Sequence, residues 1–194
     1  MMKNNILKNI FLFIFLFLII SCYNYDGPTR IIKKRIPQTP KKIEIKKISK
    51  NEYLNEIKNV VEKQLPEAQV EIFNDSLSVL FPNQITYNSS AIMPNEDINP
   101  KLKKLSSLIL KFYLTNLIVT GHTDNKGNAE DNKMLSSLRA KFIYDNLIYF
   151  KTPADRLHYW GLGDTNPLKP NTSEENRIQN RRIEFIILAT LFEE

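Results

Sequence analysis

Four apolar or β-branched residues, Leu117-Ile-Val-Thr120, run without a break into Gly121, and a helical repeat of about twenty residues begins ten positions later. A short apolar run of that kind reads as a strand buried on both faces. The pattern around it repeats the idea. Leu102, Leu105, Leu108, Ile109 and Phe112 recur at helical spacing behind Asn99-Pro100, with Asn as the expected cap and Pro at the first helical position. From Glu130 to Tyr149 a second helix is expected, with Met134, Leu135, Leu138, Phe142, Ile143 and Leu147 inward. Val70–Phe73 and Leu77–Phe81 read as strands around Asn74-Asp75, His158–Gly161 as another, and Arg182–Leu188 as the last. Gly163 to Ser173 reads as loop. Strands and helices in this order predict an α/β two-layer sandwich, a small mixed β-sheet with helices packed on one face.

Charge and hydropathy divide the chain. Of 194 residues carrying a net +6, residues 30–50 hold nine Lys/Arg against Glu44 alone, and residues 51–194 sum to −3. The basic character belongs to a tail, which argues against a nucleic-acid-binding fold, since that carries its basic surface on the domain. Residues 10–20 are eleven uninterrupted apolar residues behind Lys3 and Lys8. That block is short of the roughly 20 residues a spanning helix needs, and it reads as an export signal over 1–21. It ends Ile19-Ile20-Ser21-Cys22, which resembles the bacterial lipobox and implies cleavage before Cys22 and acylation of that cysteine. Several acyl chains, at about 0.8 kcal/mol per buried CH₂, hold a protein on a membrane stably. Tyr23 follows where some bacteria place an aspartate to retain lipoproteins at the inner membrane, so the expected location is the outer membrane, facing the periplasm. Cys22 is the only cysteine, which leaves no disulfide and no multi-cysteine metal site.

From Cys22 to Lys50, Pro28, Pro37 and Pro40 interrupt a lysine-rich stretch that reads as a tether, on the order of 90 Å long when extended. Its charge is either a solvated run or a contact for anionic lipid or wall polymer. Residues 51–66 then read as an amphipathic helix with Tyr53, Leu54, Ile57, Val60, Val61 and Gln64 on one side, stopped by Pro66.

The chemistry concentrates in GHTDNKGNAEDNKMLSSLRA, residues 121–140. Asp124 lies where the chain leaves the buried strand, and Gly121 and Gly127 are expected to permit the turn. Asn132 and Arg139 are two helical turns apart and share one helix face with Ser136. A carboxylate and a guanidinium placed near one another either pair together or jointly hold a zwitterion, the acid taking an ammonium and the fork a carboxylate. Catalysis finds little support. His122 has only His158 as a second histidine, and no activated nucleophile is visible, so His122 reads as a packed or hydrogen-bonded side chain. Tyr159 and Trp160 read as core or sheet-face residues, and Arg182 as the partner of Glu184 or Glu174 on the strand face opposite Arg181.

Gly121-His122-Thr123-Asp124, Gly127, Asn132, Leu135-Ser136, Arg139-Ala140 and Asn180-Arg181-Arg182 together resemble the OmpA-like peptidoglycan-binding domain over residues 68–192. Ile85–Ile92 is similar to that family's opening strand and loop, and Gly161–Pro167 to its glycine-to-proline stretch. The resemblance implies the OmpA-like C-terminal domain fold, no enzyme activity, no cofactor and no metal. It implies that Asp124 binds the ammonium and Arg139 the carboxylate of the diamino acid in a peptidoglycan stem peptide. Asn132 and Thr123 would add hydrogen bonds, Asn88 would line the opening loop and Arg181 would support the site. Ile85 and Thr86 depart from the family's usual Phe and Asp, and Lys126 occupies a turn position where a small polar residue is common. The expected function is a lipid-anchored tether from outer membrane to cell wall. A wall hydrolase would need a nucleophile or metal cluster, and an ion-driven stator an acidic residue in a spanning helix; residues 10–20 carry none. A scaffold lipoprotein binding another envelope protein through the tail or the 51–65 helix is the alternative.

Overall fold

The computed structural model describes residues 48–82, 85 and 87–190. The expected signal segment, Cys22 and the tether up to residue 47 lie outside the described residues, as does Thr86. Helix α1 (Lys50–Gln64) opens with a capping box: the Ser49 hydroxyl accepts from Glu52 N, and Glu52 Oε2 accepts from Ser49 N at 2.7 Å. Its Tyr53, Leu54, Ile57 and Val61 are buried in the one core cluster of the domain. The apolar stripe of this helix is therefore already covered. Lys58 on α1 donates to the Val70 carbonyl at 2.6 Å and ties the helix to the sheet edge.

Strands β1 (Gln69–Phe73) and β2 (Ser76–Leu80) form the expected hairpin, with Asn74 in the left-handed region at φ 50°. Asparagine tolerates that conformation better than most residues. Helix α2 (Asn99–Lys111) starts one position off the expectation: Ile98 is the N-cap and Asn99 is already helical, its N–H donating to Asp97 Oδ1 at 3.0 Å. Strand β3 (Thr115–His122), helix α3 (Ala129–Tyr149), strand β4 (Leu157–Gly163), helix α4 (Glu174–Asn180) and strand β5 (Ile183–Ala189) complete the order. The short α4, capped by the Ser173 side chain, was not anticipated.

The sheet order is β1-β2-β5-β3-β4, with β3 and β4 parallel and the other neighbours antiparallel. Leu77, Val79, Phe185, Ile187, Leu117, Val119 and Leu157 alternate onto the face that packs against Leu54, Ile57, Leu102, Leu105, Ile109, Ala140, Ile143 and Leu147 of the helices. This is the mixed-sheet α/β architecture expected from the sequence.

Helix α3 lies unusually near the sheet. A Cβ on Gly121 would stand 2.1 Å from the Ser136 carbonyl oxygen, and one on Gly161 2.3 Å from Ser137 N. Gly121 therefore sits inside β3 and makes room for a helix; it does not form the turn. Gly127, at φ 91°, does. This close approach turns Asn132, Ser136, Arg139, Ala140, Ile143 and Leu147 inward. Met134 and Leu138, expected inside, are 60% and 40% exposed. The glycines on two strands choose the buried face of α3, and apolar periodicity alone points elsewhere.

Candidate functional site

The parallel β3–β4 register shifts between Gly121 and His122, where His122 aligns with Gly163 and Leu162 is skipped. Thr123 N then donates to Gly163 O at 2.9 Å, so the chain is held to the sheet rim one residue beyond β3. Asp124 follows, and it is buried at 3% exposure. Its Oδ1 accepts from Lys126 N at 3.0 Å, and its Oδ2 accepts from Arg181 Nη1 at 2.6 Å.

Arg181 ends α4 and is buried as well. Besides Asp124 it donates from Nε to the Tyr87 carbonyl at 2.9 Å and from Nη2 to Glu174 Oε1 at 3.0 Å. Arg177, Arg181 and Lys126 all donate to Glu174 and hold its carboxyl down at about 2. Lys126 is exposed and turned onto Glu174 Oε2 at 3.2 Å.

Arg139 is fully buried. Its Nε donates to Ala91 O at 2.8 Å and its Nη2 to Asn88 O at 2.9 Å and Ser89 O at 3.1 Å. Nη1 donates to His122 O at 3.3 Å, and the guanidinium stacks 4.6 Å from the centre of the Tyr87 ring. Burial lowers its pKa to about 10, which still leaves it charged at neutral pH. The acid of the 121–140 stretch thus pairs with Arg181, and the arginine of that stretch binds the loop 88–91. Asn88 contributes its carbonyl to Arg139, and the residue itself is exposed.

Three buried polar atoms here have no hydrogen-bond partner: Thr123 Oγ1, Asn132 Nδ2 and Tyr87 Oη. Leaving such groups unpaired costs free energy. Sequence reasoning missed Tyr87 as the platform under Arg139 and Glu174 as the counter-charge of Arg181. The Ser173-Glu174-Glu175 start of α4, a hydroxyl cap followed by acids, was the signal available for the latter.

His122, Arg182 and Glu184 lie on the opposite sheet face. Arg182 Nη2 is 3.7 Å from Glu184 Oε2 and donates to Asn166 O at 3.2 Å. His122 is buried, its pKa lowered by desolvation, with Nε2 at 3.5 Å from Glu184 Oε2. Contact with His122 and a hydrogen bond from Ser78 hold Glu184 at about 2. Tyr159 packs on Tyr144 at 5.2 Å, while Trp160 is 55% exposed on the sheet face. Among the described residues, no group of three or more His, Cys, Asp or Glu is placed to hold a metal, and no helix is long and apolar enough to cross a membrane.

Fold and geometry together define a class: a small α/β domain with a buried, charge-paired polar cluster at a sheet rim beside a helix. Residues 86–181 match the OmpA family. Over 113 residues it is 30% identical to "Probable lipoprotein YiaD" of Escherichia coli, covering 58% of this chain and 52% of that protein. Over 69 residues it is 38% identical to "Peptidoglycan-binding protein ArfA" of Mycobacterium tuberculosis, covering 36% of this chain and 21% of that protein. The chain thus spans about half the length of the first relative and a fifth of the second. A MotB-like protein of Desulfovibrio vulgaris shares the fold, with a TM-score of 0.62 at 23% identity, over 75% of this chain and 94% of that one.

Proposed function

We propose that this chain is a lipid-anchored envelope protein that binds peptidoglycan non-covalently and tethers the outer membrane to the cell wall, without catalysing a reaction. The observation that carries the reading is Asp124: a carboxylate fixed at the rim by Lys126 N and Arg181. A fixed carboxylate of this kind suits the free ammonium of the diamino acid in a stem peptide. Asn132 and Thr123 add hydrogen bonds, Arg181 holds the acid in place, and Arg139 and Asn88 shape the opening loop. The family match and the names of the two relatives support the same reading. Acyl chains on Cys22 supply the membrane end, and the basic tether spans the gap to the wall. Partners are then the stem peptide and the membrane.

Co-sedimentation with purified sacculi tests this. Asp124→Asn keeps the size of the side chain and an acceptor for Arg181 while removing the negative charge, and it is expected to reduce pelleting at least tenfold. Its melting temperature is expected to fall, because Arg181 loses a charged partner at 2.6 Å, so pelleting is read well below the unfolding transition, where Glu174 and the Tyr87 carbonyl still hold Arg181. Undiminished pelleting of a folded Asp124→Asn protein would sink the proposed site.

A further inference from the structure

We infer that the end of the domain opposite the Asp124 rim is a membrane-contact surface, on which Phe73, Tyr113 and Tyr149 seat against an anionic phospholipid layer. The inference goes beyond wall binding and rests on the membrane end of the reading above.

Register and chain direction place these residues at one end. Phe73 pairs with Ser76, Ser76 with Leu188 and Leu188 with Asn116, so the β1–β2 turn and the start of β3 share one edge of the sheet. Tyr113 lies in the connection that leads α2 into β3. Helix α3 runs from the rim, where Asn132 and Lys133 pack beside Gly163, to Tyr149 at its far end. Its 21 residues separate the two ends by about 30 Å. Side-chain contacts join the pieces. Lys50 pairs with Asp75 at 2.9 Å, Tyr53 Oη accepts from Leu114 N at 3.3 Å, and Arg156 Nη1 donates to Tyr113 O at 3.2 Å. Ser106 Oγ donates to Phe150 O at 2.8 Å and brings in the end of α3.

Tyr149, Tyr113 and Phe73 are 76%, 72% and 70% exposed, the three highest values among the large apolar side chains described. Single exposed apolar residues are ordinary, whereas three gathered at one end mark a contact surface. Tyrosine suits a water–lipid boundary, because its ring enters the apolar layer while its hydroxyl stays wet. The described charges around them nearly cancel: Lys50, Lys111, Lys151 and Arg156 stand against Glu52, Asp75 and Asp155. Attraction to lipid comes from the segment that leads into this end. The described chain begins at Ile48, beside Lys50, and residues 30–50 carry nine Lys/Arg against Glu44 alone. Basic residues are drawn to an anionic bilayer, and this segment delivers them at the aromatic end and not at the rim. A phospholipid surface matches both features, and docking on it points Asp124 away from the membrane.

The test uses the full-length chain on nanodiscs of phosphatidylethanolamine and phosphatidylglycerol, with and without a nitroxide on the lipid headgroup. Amide signals of residues 73–75, 111–114 and 149–151 are expected to lose about threefold more intensity to the nitroxide than those of 123–127, given the separation of the two ends. Exchanging phosphatidylglycerol for phosphatidylcholine is expected to weaken that contrast. Combining Phe73→Ser, Tyr113→Ser and Tyr149→Ser is expected to abolish it while the chain stays on the disc. Equal losses across the domain, greatest losses at the rim, or a contrast that survives the triple variant or the neutral lipid overturns the inference. If the triple variant does not fold, the wild-type contrast on the two lipids decides alone. Loss of the same signals with rising protein concentration, on discs without nitroxide, names a second copy as the occupant and also overturns it. A chain that does not stay on the discs overturns the membrane-anchoring reading, and this inference with it.

Discussion

Gly121→Ala is expected to destabilise the domain by about 3 kcal/mol, roughly 6–12 °C in Tm, as overpacking against a rigid neighbour does. The added Cβ would meet the Ser136 carbonyl oxygen at 2.1 Å and its carbon at 2.9 Å. Both are backbone atoms of α3, so no side chain can rotate away and the helix itself must move. Gly161 closes the other escape, because its own missing Cβ lies 2.3 Å from Ser137 N and 2.7 Å from Lys133 O. Since α3 also carries Asn132 and Arg139, the shift disturbs the site and the loop that Arg139 holds. Thermal denaturation of the variant reads the effect. A loss under about 1 kcal/mol would mean that α3 does not depend on this close approach.

The second large effect belongs to Arg181→Met. Removing one partner of a buried ion pair leaves the other charge uncompensated and costs about 3–5 kcal/mol. Here the stranded group is Asp124, whose side chain is 4% exposed and whose Oδ2 would lose its 2.6 Å partner. Tyr87 O and Glu174 Oε1 lose their donors in the same step. The outer contacts of Glu174 with Lys126 and Arg177 cannot substitute, because exposed ion pairs are screened by water and do not reach Asp124. Chemical denaturation of Arg181→Met, of Asp124→Asn and of the double variant measures the coupling. The double variant is expected to be more stable than the sum of the single losses allows, because the charge that Arg181 compensates is gone. Strict additivity would show that the pair does not act as a unit.

Much of this arrangement can be read from the residues, and the rest depends on contacts distant in sequence. The strand into Gly121, the two-turn spacing of Asn132 and Arg139, and the five strands follow from local periodicity. The mixed sheet follows from their order. The inward face of α3 does not, because apolar residues occur on more than one side of it, and glycines on β3 and β4 decide which side is buried. Arg139 is recognisable as important, yet its partners come from residues 88–91, about fifty positions earlier. Helix α4 is seven residues long with little apolar repeat, so the seat of Glu174 beside Arg181 was hidden. Lys126 could be placed in the Asp124 turn from sequence alone, but its direction, outward onto Glu174, is set by that same helix.

The central claim is that the rim around Asp124 is where the wall peptide binds. Amide chemical shifts recorded while a muramyl tripeptide is added test it most directly, because they locate the ligand without altering any side chain. The expected perturbations fall on Thr123, Asp124, Lys126 and Asn132, and on the loop residues 87–91. Perturbations gathered instead on α1 or on the open sheet face around Trp160, with the rim unchanged at saturation, would contradict the account.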